Sequence, residues 1–132
     1  TIDSQQCYFV DDDGYLFGEA PKFSDGSIFR FIWESETGPP RIGVTIPWFP
    51  QAHALKNAFS RLGALVSLQR MVEDYELVFR RDDGTRWKII TAAKDDTLLL
   101  LSRAELAFKS LDPSTLDYLD LRFGTKIFYK RK

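Results

Sequence analysis

The feature that most constrains the fold is the run LDLRFGTKIFY at positions 119–129, close to the end of the chain. Apolar and aromatic side chains at this density are typical of β-strands, and Gly124 falls where a bend or bulge would interrupt them. A terminal strand tends to lie at a sheet edge, where one row of N–H and C=O groups has no partner. The run therefore predicts a β-sheet whose outer strand can still accept a neighbour.

Further strands are predicted wherever apolar residues alternate or flank an acidic turn. The apolar runs at residues 7–10 and 15–17 flank the sequence DDDG, whose Gly14 can take a positive φ, so they predict a β-hairpin. Alternation also predicts strands at residues 28–33 and 42–46, before Pro47 stops the pairing. The remaining extended segments are predicted at residues 65–72, 75–79, 87–90, 118–123 and 126–130.

Two segments have the helical period instead. Apolar residues at spacing i, i+3, i+4 and i+7 predict a helix over about residues 50–62, which Gly63 would end with a left-handed cap. Asp95 and Asp96 can cap a second helix that ends before Asp112-Pro113. Its apolar face consists of Leu101, Ala104, Ala107, Phe108 and Leu111. The leucines at 98–101 fit either the first turn of this helix or a buried strand.

This order of elements predicts an α+β fold. Two amphipathic helices can cover only one face of a sheet, so we expect a mixed or mostly antiparallel sheet with both helices packed on one face. The chain has 132 residues, of which 44% are hydrophobic, enough for one core without metals or disulfides. We therefore predict a single domain over residues 1–132.

Composition argues against several classes of function. The chain has 18 basic and 19 acidic residues, so no broad electrostatic surface for nucleic acid or anionic lipid is expected. Cys7 is the only cysteine, which excludes an internal disulfide and a metal site built from thiolates. The eight glycines are scattered and form neither a phosphate-binding loop nor a dinucleotide fingerprint. No cofactor is predicted.

His53 and the acidic clusters are the candidates for catalysis or metal binding. His53 is the only histidine and has no acidic or thiol residue at a local catalytic spacing, so the sequence favours a surface or structural role. The acidic clusters at 11–13, 82–83 and 95–96 fall at predicted turns or caps, and the first lacks the ligand spacing of an EF-hand. A small metal-dependent or hydrolytic domain that uses His53 and the acidic turns remains an alternative.

Four stretches resemble the extracytoplasmic β domain of the bacterial cell-division family FtsQ/DivIB. They are the opening YFVDDDGYLF at 8–17, the helix that ends in Leu62-Gly63, the hairpin around Asp83-Gly84, and YLDLRF at 118–123. The first is similar to the family's "wlvDedGvlf" and the last to its closing "yiDLRy". The chain begins at Thr1, and its only methionine is Met71. We therefore expect a piece of a longer, single-pass membrane protein, with the family's transmembrane segment and POTRA domain upstream.

The resemblance implies a scaffold without catalytic activity on the outer side of the cytoplasmic membrane. In the family, the last strands bind the carboxy-terminal part of FtsB, called DivIC in some bacteria, partly by strand addition, and so link the protein to FtsL. Carried over by motif position, Arg122 would meet an acidic side chain of the partner and Phe123 would pack on an apolar one. The backbone groups offered for pairing would be those of Gly124, Thr125, Lys126 and Ile127.

Other interpretations of the same residues remain open. Phe123 could belong to the core and Arg122 could be a solvated strand residue, in which case neither would bind a partner. The domain could also be an accessory β domain of an envelope transport assembly. The sequence departs from the family pattern where Gly124 directly follows the aromatic residue and where positions 127–129 are apolar. The geometry of the partner can therefore differ from that in the family.

Overall fold

The computed structural model of the protein describes residues 7–21, 28–34 and 40–132. The helices are α1 (Phe49–Phe59) and α2 (Thr97–Ala107), with short 3-10 helices at Ser60–Leu62 and Pro113–Thr115. The strands are β1 (Cys7–Val10), β2 (Leu16–Ala20), β3 (Arg30–Trp33), β4 (Ala64–Arg70), β5 (Asp74–Arg80), β6 (Arg86–Ala92), β7 (Leu116–Phe123) and β8 (Lys126–Arg131). The predicted α+β class is confirmed.

Most of the described strands belong to one mixed sheet. Its order is β3-β4-β5-β6-β7-β8, and β1 and β2 form a separate antiparallel pair. The pairs β3–β4 and β6–β7 are parallel, whereas the other pairs of the large sheet are antiparallel. Parallel neighbours need a crossover connection, and α1 and α2 provide it at these two positions. Among the described strands, β3 and the final strand β8 therefore lie at the two outer edges of this sheet.

Both helices pack on the same face of this sheet, as predicted. Buried residues of α1 and α2 share one apolar cluster with alternate residues of β4 to β7. The buried members include Leu55, Phe59, Leu77, Phe79, Ile89, Leu100, Ala104 and Leu119. The Phe79 and Trp87 rings stack within this core with centroids 4.5 Å apart. The opposite face of the sheet has no helix on it among the described elements.

A smaller cluster lies beneath the β1–β2 hairpin. Leu16, Ile46 and Phe49 are buried there, and Gly14 takes a φ of 90° in the turn, as predicted. A Cβ atom built on Gly14 would lie 2.8 Å from the Cβ of Phe49 and 2.9 Å from the carbonyl oxygen of Ile46. Residue 14 must therefore be glycine for two reasons, because it needs a positive φ and because α1 begins so close to the turn.

Three local predictions were wrong. Residues 42–46 form no strand but a single bridge between Tyr15 and Thr45, because Gly43 has a φ of 98° and breaks the extended alternation. Gly63 is extended, with a φ of 160°, because a 3-10 turn already ends the first helix and the chain enters β4 directly. The second helix ends at Ala107, several residues before Asp112-Pro113.

The remaining ambiguities are resolved at α2 and at the end of the chain. Asp96 is the N-cap, and its carboxylate accepts a hydrogen bond of 3.1 Å from the Leu99 N–H. With that cap in place, the leucines at 98–101 form the start of a helix. The final segment is a pair of strands joined by a turn at Gly124.

Candidate functional site

The six predicted partner-binding residues lie together in the hairpin formed by β7 and β8. Arg122 and Phe123 end β7, Gly124 and Thr125 form the two-residue turn, and β8 begins with Lys126 and Ile127. Gly124 has a φ of 61°, and no described residue other than glycine has a positive φ. This is the arrangement of a type II′ turn, which matches the right-handed twist of a hairpin.

Strand β8 has an open side. It pairs with β7, and no other strand in the described part of the chain pairs with it. In an antiparallel ladder, alternate residues point their N–H and C=O groups away from the partner strand, so β8 presents such groups outward. One carbonyl at the start of the strand, that of Lys126, accepts a hydrogen bond of 3.3 Å from Nη2 of Arg103 on α2. The rest of the edge has the geometry that strand addition requires.

A groove of about 430 Å³ runs between β8 and α2 on the helix-covered side of the sheet. Its lining combines apolar and polar side chains. It consists of Leu106, Ala107, Ser110 and Leu111 from α2 and the residues that follow it, and of Ile127, Tyr129 and Arg131 from β8. The last three are alternate residues of β8 and point to the same side of the strand. An extended segment placed along β8 would direct every second side chain into this groove.

The opposite side of the hairpin is aromatic. Phe123 is 52% exposed and Phe128 is 50% exposed, and their rings meet edge to face with centroids 5.3 Å apart. The Arg122 guanidinium lies 5.2 Å from the centroid of the Phe123 ring, within the range of a cation–π contact. Phe123 is therefore not a core residue, and the hairpin presents an exposed aromatic surface on this side.

Arg122 is not a solvated strand residue either, because two carboxylates hold its guanidinium. Nε and Nη2 donate to the two carboxylate oxygens of Asp120 at 2.9 and 2.7 Å, and Nη1 donates to Oδ2 of Asp74 at 3.1 Å. Hydrogen bonds from Arg122 to Asp120 and then to Asp74 raise its pKa. These contacts join β7 to β5 across the intervening strand β6.

This arrangement changes the electrostatics expected at Arg122. One positive charge faces two negative charges, so the three groups together are net negative, and three of the five N–H donors of the guanidinium are already used. The sequence could have indicated the contact with Asp120, because residues i and i+2 of a strand lie on one face. Asp74 gave no such signal, since it lies 48 residues from Arg122 along the chain.

His53 lies close to the first acidic turn. Its Nε2 is 3.6 Å from Oδ1 of Asp12, its Nδ1 is 3.5 Å from Nδ2 of Asn57, and its ring stacks on Phe49 with centroids 5.8 Å apart. These contacts orient the imidazole between a helix and a turn and bring no hydroxyl or thiol to it. Within residues 7–21, 28–34 and 40–132, no group of three or more histidine, cysteine or acidic residues could hold a metal ion.

The acidic clusters act in turns, as their positions predicted. Oδ1 of Asp11 accepts from the backbone N–H groups of Asp13 and Tyr15, both at 2.9 Å. Hydrogen bonds from the side chain and backbone of Thr85 lower the pKa of Asp83. Each of these carboxylates therefore stabilises a local reversal of the chain through backbone N–H groups.

None of the helices in the described segments has the length and apolar content needed to cross a membrane. The sequence was also compared with known proteins. No protein-family model matches the chain, and no curated protein matches it.

Proposed function

We propose that this domain is a non-enzymatic interaction domain of the bacterial cell-division machinery, of the FtsQ/DivIB type. Its partner is the carboxy-terminal part of FtsB or DivIC in the pair with FtsL, and the partner binds by adding a strand to β8. The domain lies on the outer side of the cytoplasmic membrane, as part of a single-pass protein. The observation that supports this proposal best is the open edge of β8, with a groove of mixed apolar and polar lining on one side and an exposed aromatic pair on the other.

The groove and the aromatic pair complement the main-chain edge. Strand addition supplies hydrogen bonds that do not depend on sequence, and side-chain pockets supply specificity. A partner strand along β8 places alternate side chains in the groove next to Ile127 and against Phe123 and Phe128. Because β8 is built into the sheet before the partner arrives, only the partner has to become ordered, which reduces the entropy cost of binding.

The first experiment measures binding of an FtsB/DivIC tail peptide from the same genome by isothermal titration calorimetry. We expect Phe123→Ala to weaken binding by about 2 kcal/mol or more, since central interface aromatics often contribute this much. The folded state should lose little stability, because the ring is half exposed.

The matched control is Phe17→Ala in the separate β1–β2 hairpin. Phe17 is 56% exposed and also contacts another phenylalanine ring, that of Phe9, with centroids 5.9 Å apart. The two variants remove the same side chain at similar exposure but in different sheets. An equal effect of both on binding would contradict a docking role for the β8 edge, and a tail that does not bind the wild-type domain would refute the proposed function.

A second experiment tests strand addition without changing the protein. The tail peptide is synthesised with single N-methyl groups at successive backbone amides, each of which removes one hydrogen-bond donor. In an antiparallel or parallel ladder only alternate amides point to β8, so binding should fall at every second position. Uniform tolerance of methylation would show that the peptide binds through side chains alone.

A further inference from the structure

The β8 edge is cationic although the chain as a whole has a net charge of −1. Residues 126–132 include four basic residues and no acidic one. The side chains of Lys126, Lys130 and Arg131 are exposed, and Arg131 also lines the groove. Within the described residues, the facing acidic group on the neighbouring strand is Asp117, whose Oδ2 lies 4.0 Å from Nζ of Lys130.

The charges at the two ends of this strand act against pairing with a second copy. If two β8 strands paired with each other, basic side chains of one copy would lie beside basic side chains of the other. Like charges at neighbouring positions destabilise a strand pair, and lysines on edge strands commonly prevent self-association. The same charges attract an acidic strand, so the edge distinguishes the two kinds of neighbour by the sign of their charge.

Arg122 is poorly placed to recognise an acidic partner. Asp120 and Asp74 already hold its guanidinium, and a carboxylate that approached it would also approach theirs. Lys126 and Arg131 differ, because no described carboxylate forms an ion pair with them. The positive charge available to a docked strand therefore lies on β8.

We propose that the β8 edge selects an extended partner segment that is acidic as well as apolar, and that Lys126, Lys130 and Arg131 recognise its carboxylates. This inference rests on the proposed function and specifies the chemistry of the partner. On the side of the added strand away from the groove, carboxylates face Lys126 and Lys130. On the groove side, a carboxylate faces Arg131. Apolar side chains occupy the groove and contact the aromatic pair.

The test compares three synthetic ten-residue peptides with the same apolar residues and with three glutamates, three glutamines or three lysines among them. The protein variants are Lys126→Gln/Lys130→Gln/Arg131→Gln and a control triple, Arg61→Gln/Arg86→Gln/Lys94→Gln, which changes the net charge equally at exposed sites. Fluorescence anisotropy measures Kd at about 50 mM and about 500 mM salt, a range over which exposed ion pairs are progressively screened.

We expect the glutamate peptide to bind about tenfold more tightly than the glutamine peptide at low salt, in keeping with three exposed charge pairs. The advantage should disappear at high salt and in the β8 triple variant, remain in the control triple, and be absent for the lysine peptide. Circular dichroism confirms that both variants fold.

Other outcomes overturn the inference in distinguishable ways. Equal binding of the glutamate and glutamine peptides would refute charge selection while strand addition stands. If only the FtsB/DivIC tail binds and the β8 triple variant binds it as well as wild type does, selection by charge is refuted and the proposed function is retained. If neither the tail nor any peptide binds, both fail. Concentration-dependent dimers in sedimentation would refute exclusion of a second copy.

Discussion

Replacing Arg122 with methionine should destabilise the domain much more than removing a single lysine–glutamate ion pair from the same sheet. The change keeps an unbranched side chain over β7 but removes the guanidinium that bridges Asp120 and Asp74. The Asp120 side chain is only 7% exposed, so its carboxylate cannot gain full hydration when its partner is lost. The remaining contact in this structure is the hydrogen bond of 3.1 Å from the Arg122 backbone N–H.

The magnitude follows from the burial of the three groups. Removing one partner of a fully buried ion pair costs about 3–5 kcal/mol, because a charge remains without compensation. Here the Arg122 side chain is 33% exposed and that of Asp74 is 25% exposed, so water screens part of the interaction. We therefore expect Arg122→Met to lower the free energy of unfolding by about 2–3 kcal/mol.

The control is Lys88→Met, which removes the ion pair with Glu76. Nζ of Lys88 lies 3.1 Å from Oε1 of Glu76, the same distance as between Nη1 of Arg122 and Oδ2 of Asp74, and the two pairs have similar partial exposure. The difference is Asp120, whose side chain is only 7% exposed and which loses its partner only in the Arg122 variant. Ion pairs that water reaches contribute about 0–1 kcal/mol, so Lys88→Met should lose about 1 kcal/mol or less. Urea unfolding followed by circular dichroism measures both losses.

A double variant separates charge from packing. Adding Asp120→Asn to Arg122→Met removes the uncompensated carboxylate, so the double variant should lose less stability than the sum of the two single variants, by about 1–2 kcal/mol. If Arg122→Met loses no more than Lys88→Met, or if the two changes are additive, the guanidinium does not hold the sheet as its contacts indicate.

Two other predictions concern the turns. Gly14→Ala should lower the free energy of unfolding by about 2–4 kcal/mol, because the positive φ and the close approach of Phe49 both oppose a Cβ atom. Gly84 has a φ of 86° but open space around it, so Gly84→Ala should lower the free energy of unfolding by only about 1–2 kcal/mol. Thermal unfolding measures both. Equal losses would refute the steric part of the argument. Asp83 has a lowered pKa because Thr85 donates hydrogen bonds to it, so its stabilising effect is complete above its ordinary pKa of 3.8 and is lost as the pH falls further, through the pKa of the folded state. Asp83→Asn should therefore be less stable than wild type near neutral pH but not at low pH, and a constant difference would contradict this assignment.

Local patterns predicted most of the strands and both helices, since alternation, helical spacing and turn residues act over a few neighbours. The Asp83-Gly84 hairpin and the Asp96 cap follow directly from such short-range chemistry. Such patterns ignore contacts with distant residues, and the strand predicted at 42–46 was wrong for that reason. Its apolar alternation includes Gly43, which has a positive φ and contacts the first hairpin.

The sequence predicted which segment of the chain holds the candidate site, but not the side-chain contacts within it. Position near the chain end correctly indicated that β8 is an outer strand, and the exposure of Phe123 agrees with a surface role. The partner of Arg122 on β5 depends on the order of strands in the sheet, which no local pattern specifies. The groove also depends on the strand order, because it lies between α2 and the outer strand β8.

The Arg122 network and the β8 edge have complementary roles in this architecture. An edge strand has one ladder of hydrogen bonds, so its order depends on the strand to which it is paired. Strand β7 is held by β6 through parallel pairing, and Arg122 adds a side-chain connection to β5 at the end that leads into the turn. A docking edge must remain open and yet keep a fixed register, because each disordered residue adds an entropy cost to binding. Arg122 fixes the end of β7 beside Gly124, and in the proposed complex this is the strand that presents Phe123 and β8 to the partner. We therefore expect Arg122 to contribute to affinity through positioning, and the lysines and Arg131 of β8 to contribute through charge.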